Sequence, residues 1–453
     1  MNIVIGGAGK VGALIIEELA AEGHELILIE KNREVLETAL DKNDIAGVLG
    51  SAASVSNLEE AGVAEADFYI AATENDETNM VSAIIAKRLG AERSLARVRN
   101  PEYSSQMSFI RDSLGINQLI NPELEAAREI GRLLKYPAAL SLEAFANGRA
   151  LLIELELPAK SPLVGLSLPA FRERHPGLLI AAITRAGEVS IPSGRDKLAA
   201  GDRLLFFGNG KNLDALYRDF GQNGKPERRA MVIGGGRLTH YLLKMMQESS
   251  LRFTVIEQKA SIAEELAGYF PEHEIILGDG TDYSFLAEHS LDSVDVFLAL
   301  TGVDEENILT SLYAKKMGVP RYITKVNRTA ILKILANNEL QAVITPKRII
   351  ADYVLRLVRA AQNSQGSNVE ALHRISNNQL EALEFSVKAD AALINTPLAQ
   401  LKIKKDCLIA LILRGNELIF PAGKDCILPG DHIVVISLRD YFQDVDDILE
   451  AEN

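Results

Sequence analysis

Short apolar runs and one helical pattern alternate along the first thirty residues. Residues Ile3–Ile5 and Leu26–Ile29 are uninterrupted apolar runs, which predict strands buried on both faces of a parallel sheet. Between them, apolar residues recur at the spacing of one helix face: Val11, Leu14, Ile15 and Leu19. The pattern therefore predicts a strand, a glycine turn, a helix and a second strand, in that order.

The same alternation continues as far as Pro122. Further strands are predicted over 47–49, 67–72, 95–99 and 118–120, and helices over 32–42 and 123–135. Alternating strands and helices are typical of a doubly wound, Rossmann-like α/β domain, which we expect over residues 1–122.

The character of the chain then changes. Residues 140–222 contain short β-like runs, several prolines and no glycine motif, so we expect a small α+β domain with strands over 178–184, 188–191 and 203–207. Residues 221–228 are rich in Gly, Asn, Lys and Pro and are predicted to be a linker.

The pattern of the first domain starts again near residue 228. Gly234–Gly236 is followed by Glu257 at the same interval at which Glu30 follows Gly7. We therefore expect a second Rossmann-like domain over residues 228–346, built in the same order as the first.

The small domain recurs as well. Pro192 and Asp202 in the first copy are matched by Pro421 and Asp431 at the same separation in the second, which we expect over residues 369–453. Residues 362–379, rich in Asn, Ser and Gln, are predicted to be a second linker. The chain is thus interpreted as a tandem duplication of a two-domain unit.

The glycine turn favours a dinucleotide site. Gly7 permits a tight turn, Gly9 lets the backbone approach a pyrophosphate, and Gly12 lets the helix pack on the strand. The helix start would then direct its unpaired N–H groups at the phosphates, and Glu30 would accept hydrogen bonds from the ribose hydroxyls. A glycine turn with a purely structural role is the alternative, because this motif alone is weak evidence.

Polar residues at other strand ends are further candidates. Thr73 and Glu74 follow the fourth strand, where they would either reach the ligand or cap the next helix. We favour capping for Asp76 and Asn79, in the same turn. Arg97 shares a predicted strand with Arg99 and suits either a phosphate contact or an ordinary ion pair.

The second half departs from the first at three positions. Thr239 replaces the third glycine, and its branched Cβ is expected to crowd the packing of helix on strand. Lys325 and Asn327 replace the two arginines, so we expect a second nucleotide site with a different preference or a lower affinity.

Composition and charge narrow the function. The formal charge of −14 argues against nucleic acid and against direct binding to anionic lipid. No apolar run is long enough to span a membrane, and the two cysteines suit a reduced, cytoplasmic setting. No catalytic triad, metal-binding motif or acid–base cluster is recognisable, so we expect neither an enzyme nor a metal site.

Taken together, these motifs resemble the TrkA family, the cytosolic regulatory subunits of bacterial Trk potassium uptake systems, which are built from paired RCK (KTN) domains. The resemblance extends over essentially the whole chain. It is carried by the Gly7–Gly12 turn with Glu30, the segments 73–80 and 96–101, and the duplicated small domain.

The resemblance implies residues that contact the nucleotide. In the first half they are Gly7, Ala8, Gly9, Lys10, Val11, Gly12, Glu30, Thr73, Glu74 and Arg97, with Ser51 at a neighbouring strand end. In the second half they are Gly234, Gly235, Gly236, Arg237, Leu238, Glu257, Thr301, Gly302 and Lys325, with Asp279 in the place of Ser51.

The resemblance also implies a function. The expected ligands are NAD or NADH, with ATP or ADP in addition, and the expected partner is a Trk-type membrane potassium channel. The chain would form a homo-oligomeric ring on the inner face of the cell membrane and couple ligand binding to potassium transport. An NAD-dependent oxidoreductase and a stand-alone NAD-responsive sensor remain the alternatives.

Overall fold

The computed structural model describes residues 1–104, 106–136, 139–219, 228–328, 331, 340–363, 369–375, 380–438, 442 and 444–450. The chain forms two compact units, and each unit combines segments from both halves of the sequence. One unit comprises Met1–Leu134 with Glu227–Leu355, and the other comprises Lys135–Pro226 with Arg356–Asn453.

The first Rossmann-like domain is built on a parallel sheet with the strand order β3-β2-β1-β4-β5-β6. Its strands are β1 (Asn2–Gly6), β2 (Glu25–Glu30), β3 (Ala46–Leu49), β4 (Phe68–Ala71), β5 (Arg93–Arg97) and β6 (Gln118–Ile120). Its helices are α1 (Lys10–Ala21), α2 (Arg33–Lys42), α3 (Val55–Glu60), α4 (Asp76–Leu89), α5 (Pro101–Ser104), α6 (Met107–Leu114) and α7 (Pro122–Lys135).

This strand order fixes where a ligand would bind. Ile3, Val4 and Ile5 of β1 are all buried, as the continuous apolar run predicted. Strands β2 and β3 lie on one side of β1 and strands β4 to β6 on the other, which leaves a crevice beyond the carboxyl ends of β1 and β4. β5 ends at Arg97, so Arg99 lies beyond the strand on which it was predicted.

The first small domain is an antiparallel sheet with the strand order β10-β9-β11-β8-β7. Its strands are β7 (Ser141–Phe145), β8 (Ala150–Glu156), β9 (Leu178–Arg185), β10 (Glu188–Ser190) and β11 (Arg203–Gly208), and its helices are α8 (Leu168–Arg174) and α9 (Gly210–Asp219). The predicted linker at 221–228 lies outside the described residues except for Arg228.

The second Rossmann-like domain repeats the first, with the strand order β14-β13-β12-β15-β16-β17. Its strands are β12 (Arg229–Ile233), β13 (Arg252–Glu257), β14 (Glu274–Leu277), β15 (Val296–Ala299), β16 (Arg321–Lys325) and β17 (Ala342–Ile344). Its described helices are α10 (Arg237–Met245), α11 (Ala260–Tyr269), α12 (Tyr283–Glu288), α13 (Asp304–Lys316) and α14 (Pro346–Asn363).

The second small domain has the strand order β18-β19-β22-β20-β21. Its strands are β18 (Val369–Ile375), β19 (Leu380–Ser386), β20 (Cys407–Arg414), β21 (Glu417–Ile419) and β22 (His432–Ser437). The prediction of a linker over 362–379 is therefore wrong at β18, which pairs antiparallel with β19 along the sheet edge. Residues 364–368 and 376–379 lie outside the described part of the chain.

The aspartate of the Pro-to-Asp motif has the same structural role in both small domains. Asp202 is almost fully buried and accepts two hydrogen bonds from the Arg185 guanidinium, at 2.7 and 2.8 Å, and one from the Ala199 N–H at 2.7 Å. Asp431 accepts the same set from Arg414 and the Leu428 N–H. Each aspartate thus ties the loop before the last long strand to a neighbouring strand.

Each unit is held together by a core that both halves supply. In the first unit, Ala126, Ala127 and Ile130 of α7 share a buried core with Leu238 and Leu242 of α10. The helix that leaves the first Rossmann-like domain therefore packs on the helix that follows the second glycine turn.

In the second unit, the two antiparallel sheets contribute to one apolar core. Leu152 and Phe207 of the first sheet are buried together with Ala382, Leu411 and Ile436 of the second. The two small domains thus pair with each other, just as the two Rossmann-like domains do within their own unit.

Candidate functional site

The first glycine turn leaves open space above its backbone. Gly7 has φ +95°, and a Cβ there would lie 2.9 Å from Thr73 Cα, so only glycine fits. A Cβ at Gly12 would lie 2.1 Å from the Gly7 carbonyl oxygen, which explains the close packing of helix on strand. At Gly9, by contrast, a Cβ would meet no atom within 4 Å.

Helix α1 begins at this turn without a side-chain cap. Gly9 is its N-cap residue and forms no side-chain hydrogen bond, and no acidic residue lies in the first turn. Among the neighbours, Ala8 and Val11 are buried and Lys10 is exposed. The helix start therefore presents N–H groups and a lysine to the open space, an arrangement suited to an anion.

Glu30 holds the turn together. Its Oε2 accepts a hydrogen bond from the Ala8 N–H at 2.8 Å, and its Oε1 accepts one from the Asn32 N–H at 2.9 Å. The sequence did not reveal this structural role. Each carboxylate oxygen keeps a further lone pair, so the same side chain retains the capacity to accept from ribose hydroxyls.

Asn79 organises the loop after β4. Its Oδ1 accepts from the Thr73 N–H at 2.8 Å and from Thr73 Oγ1 at 2.6 Å, while its Nδ2 donates to the carbonyl oxygens of Thr73 and Arg97. The helix cap is instead Asn75, whose side chain accepts from the Thr78 N–H. Asn79 recurs as Asn307, and this repetition is the signal that could have identified it.

Asp76 is not a cap either. Its Oδ2 accepts from the N–H groups of Arg99 and Asn100, both at 2.8 Å, and so ties the start of α4 to the segment after β5. Arg99 in turn donates to the Glu74 carbonyl oxygen and lies 3.9 Å from the Asp76 carboxylate. The predicted capping roles of Asp76 and Asn79 are thus wrong, because both side chains bind backbone from neighbouring loops.

Arg97 is a buried arginine with donors to spare. It is 8% exposed, and its Nη2 donates to the Thr73 carbonyl oxygen. Its Nε has no hydrogen-bond partner, and no carboxylate lies within ion-pair distance, within the part of the chain that the structure describes. Burial lowers the pKa of Arg97 to about 10, with the charge of Arg99 acting in the same direction, so the guanidinium stays charged at neutral pH.

The second glycine turn has the same frame. Gly234 has φ +97°, and Oε2 of Glu257 accepts from the Gly235 N–H at 2.6 Å, as Glu30 does from Ala8. Gly236 is an N-cap without a side-chain bond, and a Cβ there would again meet no atom within 4 Å. Asn307 binds Thr301 through both its side-chain oxygen and nitrogen.

Thr239 is accommodated in this frame. It is buried, and its hydroxyl donates to the Gly234 carbonyl oxygen at 2.5 Å. The Gly234 carbonyl is the counterpart of the Gly7 carbonyl against which Gly12 packs, so the threonine uses this close approach for a hydrogen bond.

Lys325 replaces Arg97 with a single donor group. Its Nζ donates to the Leu300 carbonyl oxygen at 3.1 Å. Burial lowers the pKa of Lys325, while the negative charges of Glu123 and Asp304 oppose that shift. Asn327 donates its backbone and side-chain N–H groups to the Asp304 carboxylate.

The remaining predicted residues lie at the same edges of the two sheets. Ser51 follows β3 beside Glu30, since the Gly50 N–H donates to the Glu30 carbonyl oxygen at 2.9 Å. Asp279 follows β14 in the same way and accepts from the N–H and hydroxyl of Thr281. Glu74 and Gly302 lie in the loops after β4 and β15, and both are exposed. Arg237 and Leu238 begin α10, where Arg237 is exposed and Leu238 is buried.

Two Rossmann-like domains in tandem, each with a glycine turn, an acidic strand end and an asparagine-anchored loop, define a duplicated dinucleotide-fold protein. The TrkA-N domain matches residues 3–122 and 230–346, and the TrkA-C domain matches residues 152–221 and 382–450. The chain therefore belongs to the TrkA family, which confirms the resemblance and the fold class drawn from the sequence.

Relatives match along the whole chain. It is 31% identical to the Trk system potassium uptake protein TrkA of Haemophilus influenzae, over 100% of this chain and 98% of the relative. It is 32% identical to the TrkA homolog of Archaeoglobus fulgidus, over 99% of this chain and 100% of the relative. Both relatives are named potassium uptake proteins, which agrees with the expectation that the chain is not an enzyme.

Solved structures share the fold. The GsuK RCK domain has a TM-score of 0.62 at 19% identity and covers 96% of this chain and 92% of its own. The GsuK channel bound to NAD has a TM-score of 0.64 at 18% identity, and the match covers 96% of this chain and 76% of the GsuK chain. The tandem RCK architecture is thus shared with a channel protein.

The described residues contain neither a metal-ligand cluster nor a helix that could span a membrane. No three His, Cys, Asp or Glu side chains there are grouped as metal ligands would be. Within the same residues, no helix combines the length and the apolar composition needed to cross a membrane.

Proposed function

We propose that this chain is the nucleotide-binding regulatory subunit of a potassium-transporting membrane protein. The observation that carries the proposal is the uncapped start of α1 at Gly9, where an added Cβ would meet no protein atom within 4 Å. Glu30 binds the adjacent Ala8 N–H, and Arg97 binds Thr73, the residue against which Gly7 packs. The family membership supports it, because the relatives are potassium uptake proteins. We further propose that the four domains span 1–122, 140–222, 228–346 and 369–453.

The ligand in the first half is a dinucleotide or adenine nucleotide. Its phosphates would bind the N–H groups at Gly9–Val11, with Lys10 and Arg97 supplying positive charge. Glu30 would accept from the ribose hydroxyls with the lone pairs that Ala8 and Asn32 do not use. NAD or NADH is the favoured ligand, since a carboxylate at this position repels a 2′-phosphate. ATP and ADP share the same adenosine and phosphate groups.

The second half would bind a nucleotide at Gly234–Leu238, Glu257 and Thr301 with a different preference. Lys325 offers one ammonium where Arg97 offers a planar guanidinium, so a phosphate would gain fewer directed hydrogen bonds there. The GsuK channel is described bound to NAD in one structure and to ADP in another, which supports both ligand classes for this fold.

Regulation would act through the loops rather than through chemistry. A ligand that contacts Thr73 or Arg97 acts on the same hydrogen-bond set as Asn79, and that set ties β4, α4 and β5 together. The chain would assemble as a homo-oligomeric ring on the inner face of the membrane, held there by its channel partner. Ligand exchange would then shift the ring between states that differ in ligand affinity.

The test is copurification followed by transport. A tagged chain isolated from membranes of its host is expected to bring a potassium-transporting membrane protein with it, identified by mass spectrometry. Potassium flux in vesicles containing that partner should depend on both the chain and added nucleotide. Flux that is indifferent to either one, with the complex intact, would reject the proposal.

A further inference from the structure

One acidic residue, Glu123 in the first turn of α7, acts electrostatically on the basic side chains of both candidate nucleotide sites. The register of the first sheet pairs Arg97 with Ile120, and Glu123 follows Ile120 by three residues in the first turn of α7. The end of β5 and the start of α7 are therefore neighbours at the edge of the sheet where the first site lies.

The same helix reaches the second site. Helix α7 packs on α10, the helix that follows the second glycine turn, through Ala126, Ala127 and Ile130. A buried hydrogen bond of 2.8 Å joins Asn121 Nδ2 to the Tyr241 hydroxyl, and that hydroxyl donates to the Arg99 carbonyl oxygen at 2.9 Å. The start of α7 is thus hydrogen-bonded to α10 of the second site and lies next to the segment after β5 of the first site.

Among the carboxylates that raise the pKa of Arg97 and of Lys325, Glu123 acts most strongly on both, ahead of Asp76 at Arg97 and Asp304 at Lys325. The negative charge of Glu123 raises the pKa of Arg97 and also that of Lys325, in both cases against the lowering effect of burial. Oε2 of Glu123 and Nε of Arg97 are both buried without a hydrogen-bond partner among the described residues. One carboxylate therefore serves two basic side chains and is bound tightly to neither.

The second half supplies no matching carboxylate. Lys325 pairs with Ile344 in the second sheet, and the residue three positions further on is Lys347, in the first turn of α14. Helix α14 reaches the first half through the ion pair of Arg348 with Glu18 of α1. Burial lowers the pKa of Lys347, and the charge of Lys10 acts in the same direction.

We propose that Glu123 is a shared counter-ion that couples the two nucleotide sites negatively. An anion that binds Arg97 leaves Glu123 to neutralise Lys325, and the second site then attracts a second anion less strongly. Lys347 makes the sharing obligatory, because it stands where a duplicated chain would carry the second carboxylate. Glu123 is a positioning residue in this scheme, and the inference rests on the proposed function.

The test measures ADP affinity at each site by calorimetry on the full chain. Gly236→Ala isolates the first site and Gly9→Ala isolates the second, since neither added methyl group meets any protein atom. In the unmodified chain, the second ADP is expected to bind with a dissociation constant about fivefold or more above that of the same site measured alone.

Two variants should remove the coupling while moving the affinities in opposite directions. Glu123→Gln removes the shared carboxylate and should strengthen ADP binding at both isolated sites. Lys347→Glu supplies a carboxylate to the second half and should weaken ADP binding at both isolated sites. Glu123→Asp, which keeps the charge on a shorter side chain, should retain part of the coupling and checks that Gln did not act by disturbing the fold.

Matched controls lie close by. Glu125→Gln removes a charge from the same turn of α7, where Glu125 pairs with Arg128 at 2.6 Å, and Lys316→Glu reverses an exposed charge on α13. Both controls should leave the coupling in place. Coupling that survives in Glu123→Gln, or stepwise affinities equal to those of the isolated sites, would overturn the inference. Absence of any ADP or NAD binding would instead reject the proposed function.

Discussion

At the scale of single residues, each glycine of the turn has its own physical reason. Gly7 is held at positive φ against Thr73, and Gly12 is held by the close approach of the Gly7 carbonyl oxygen. Gly9 is constrained by neither, because the space beside it contains no protein atom. Gly9 is therefore the position of this turn at which the proposed ligand, rather than the fold, would require glycine.

Gly9→Ala should therefore leave stability intact and abolish the tighter of the two nucleotide-binding events. The new methyl group would occupy the path of the pyrophosphate without touching the protein. Calorimetry with NADH gives the affinity and thermal unfolding gives the stability. Gly194→Ala is the matched control, since a Cβ there also meets no atom within 4 Å. Unchanged NADH affinity, or two identical independent sites in the unmodified chain, would refute the prediction.

Glu30 should determine the choice between NAD(H) and NADP(H). Equilibrium titration of the unmodified chain is expected to show tighter binding of NAD(H), and equal or tighter NADP(H) binding would disprove the ribose role. Glu30→Ala should weaken NAD(H) binding and also destabilise the fold, because the Ala8 and Asn32 N–H groups lose their acceptor. Each lost charged hydrogen bond costs about 1.5–3 kcal/mol. Glu257→Ala should reproduce the loss of stability without affecting the first site.

At the scale of elements, the sequence predicts what depends on local periodicity. The apolar runs identified the strands and the repeated interval between glycine turn and acid identified the duplication, because burial and turn geometry leave a pattern within a few residues. The hydrogen bonds of Asn79 and the pairing of α7 with α10 were not predictable in the same way. They join residues that are distant in the chain, and no local pattern records them.

Strand β18 was likewise not predicted, because it forms by pairing with a strand outside its own segment. Its flanking Asn, Ser and Gln residues dominate the composition of 362–379, and composition favours a linker. The backbone nevertheless finds partners along the edge of β19, so the seven residues Val369–Ile375 are ordered by tertiary pairing. Composition averaged over a segment cannot detect a short strand inside it.

The aspartate of the Pro-to-Asp motif gives an element-scale prediction. Hydrogen bonds from Arg185 and Ala199 outweigh burial and lower the pKa of Asp202, so Asp202 stabilises the folded state in its ionised form. This contribution is complete above the unfolded pKa of about 3.9 and is lost as the pH falls through the lower folded pKa.

Asp202→Asn should therefore destabilise the chain by about 1.5–3 kcal/mol at neutral pH, with a deficit that shrinks in acid. Chemical unfolding followed from pH 7 down to pH 3 measures the difference from the unmodified chain. Asp390→Asn is the control, because that carboxylate is exposed in the loop after β19. A deficit that is constant across this pH range would show that the ionised form is not the stabilising one.

At the scale of the whole molecule, both candidate sites belong to one compact unit and both small domains to the other. Helix α7, which leaves the first Rossmann-like domain, shares a buried core with the helix that follows the second glycine turn. A regulatory subunit needs such a connection, since a ligand shifts a quaternary equilibrium only by its differential affinity for the two states. It needs no reacting group.

The isolated chain should accordingly show no NAD-dependent turnover and should act only through a membrane partner. Nucleotide should change potassium flux in vesicles that contain the partner, while the NADH concentration stays constant. Arg97→Ala is expected to blunt the response, because the buried guanidinium donates to the Thr73 carbonyl oxygen and its Nε remains available for a phosphate. Arg93→Ala, on the same strand but stacked over Phe68, should respond normally. Steady NADH oxidation by the purified chain would contradict the regulatory role. If Arg97→Ala lowers the unfolding temperature and leaves nucleotide affinity unchanged, then Arg97 serves the fold rather than the ligand.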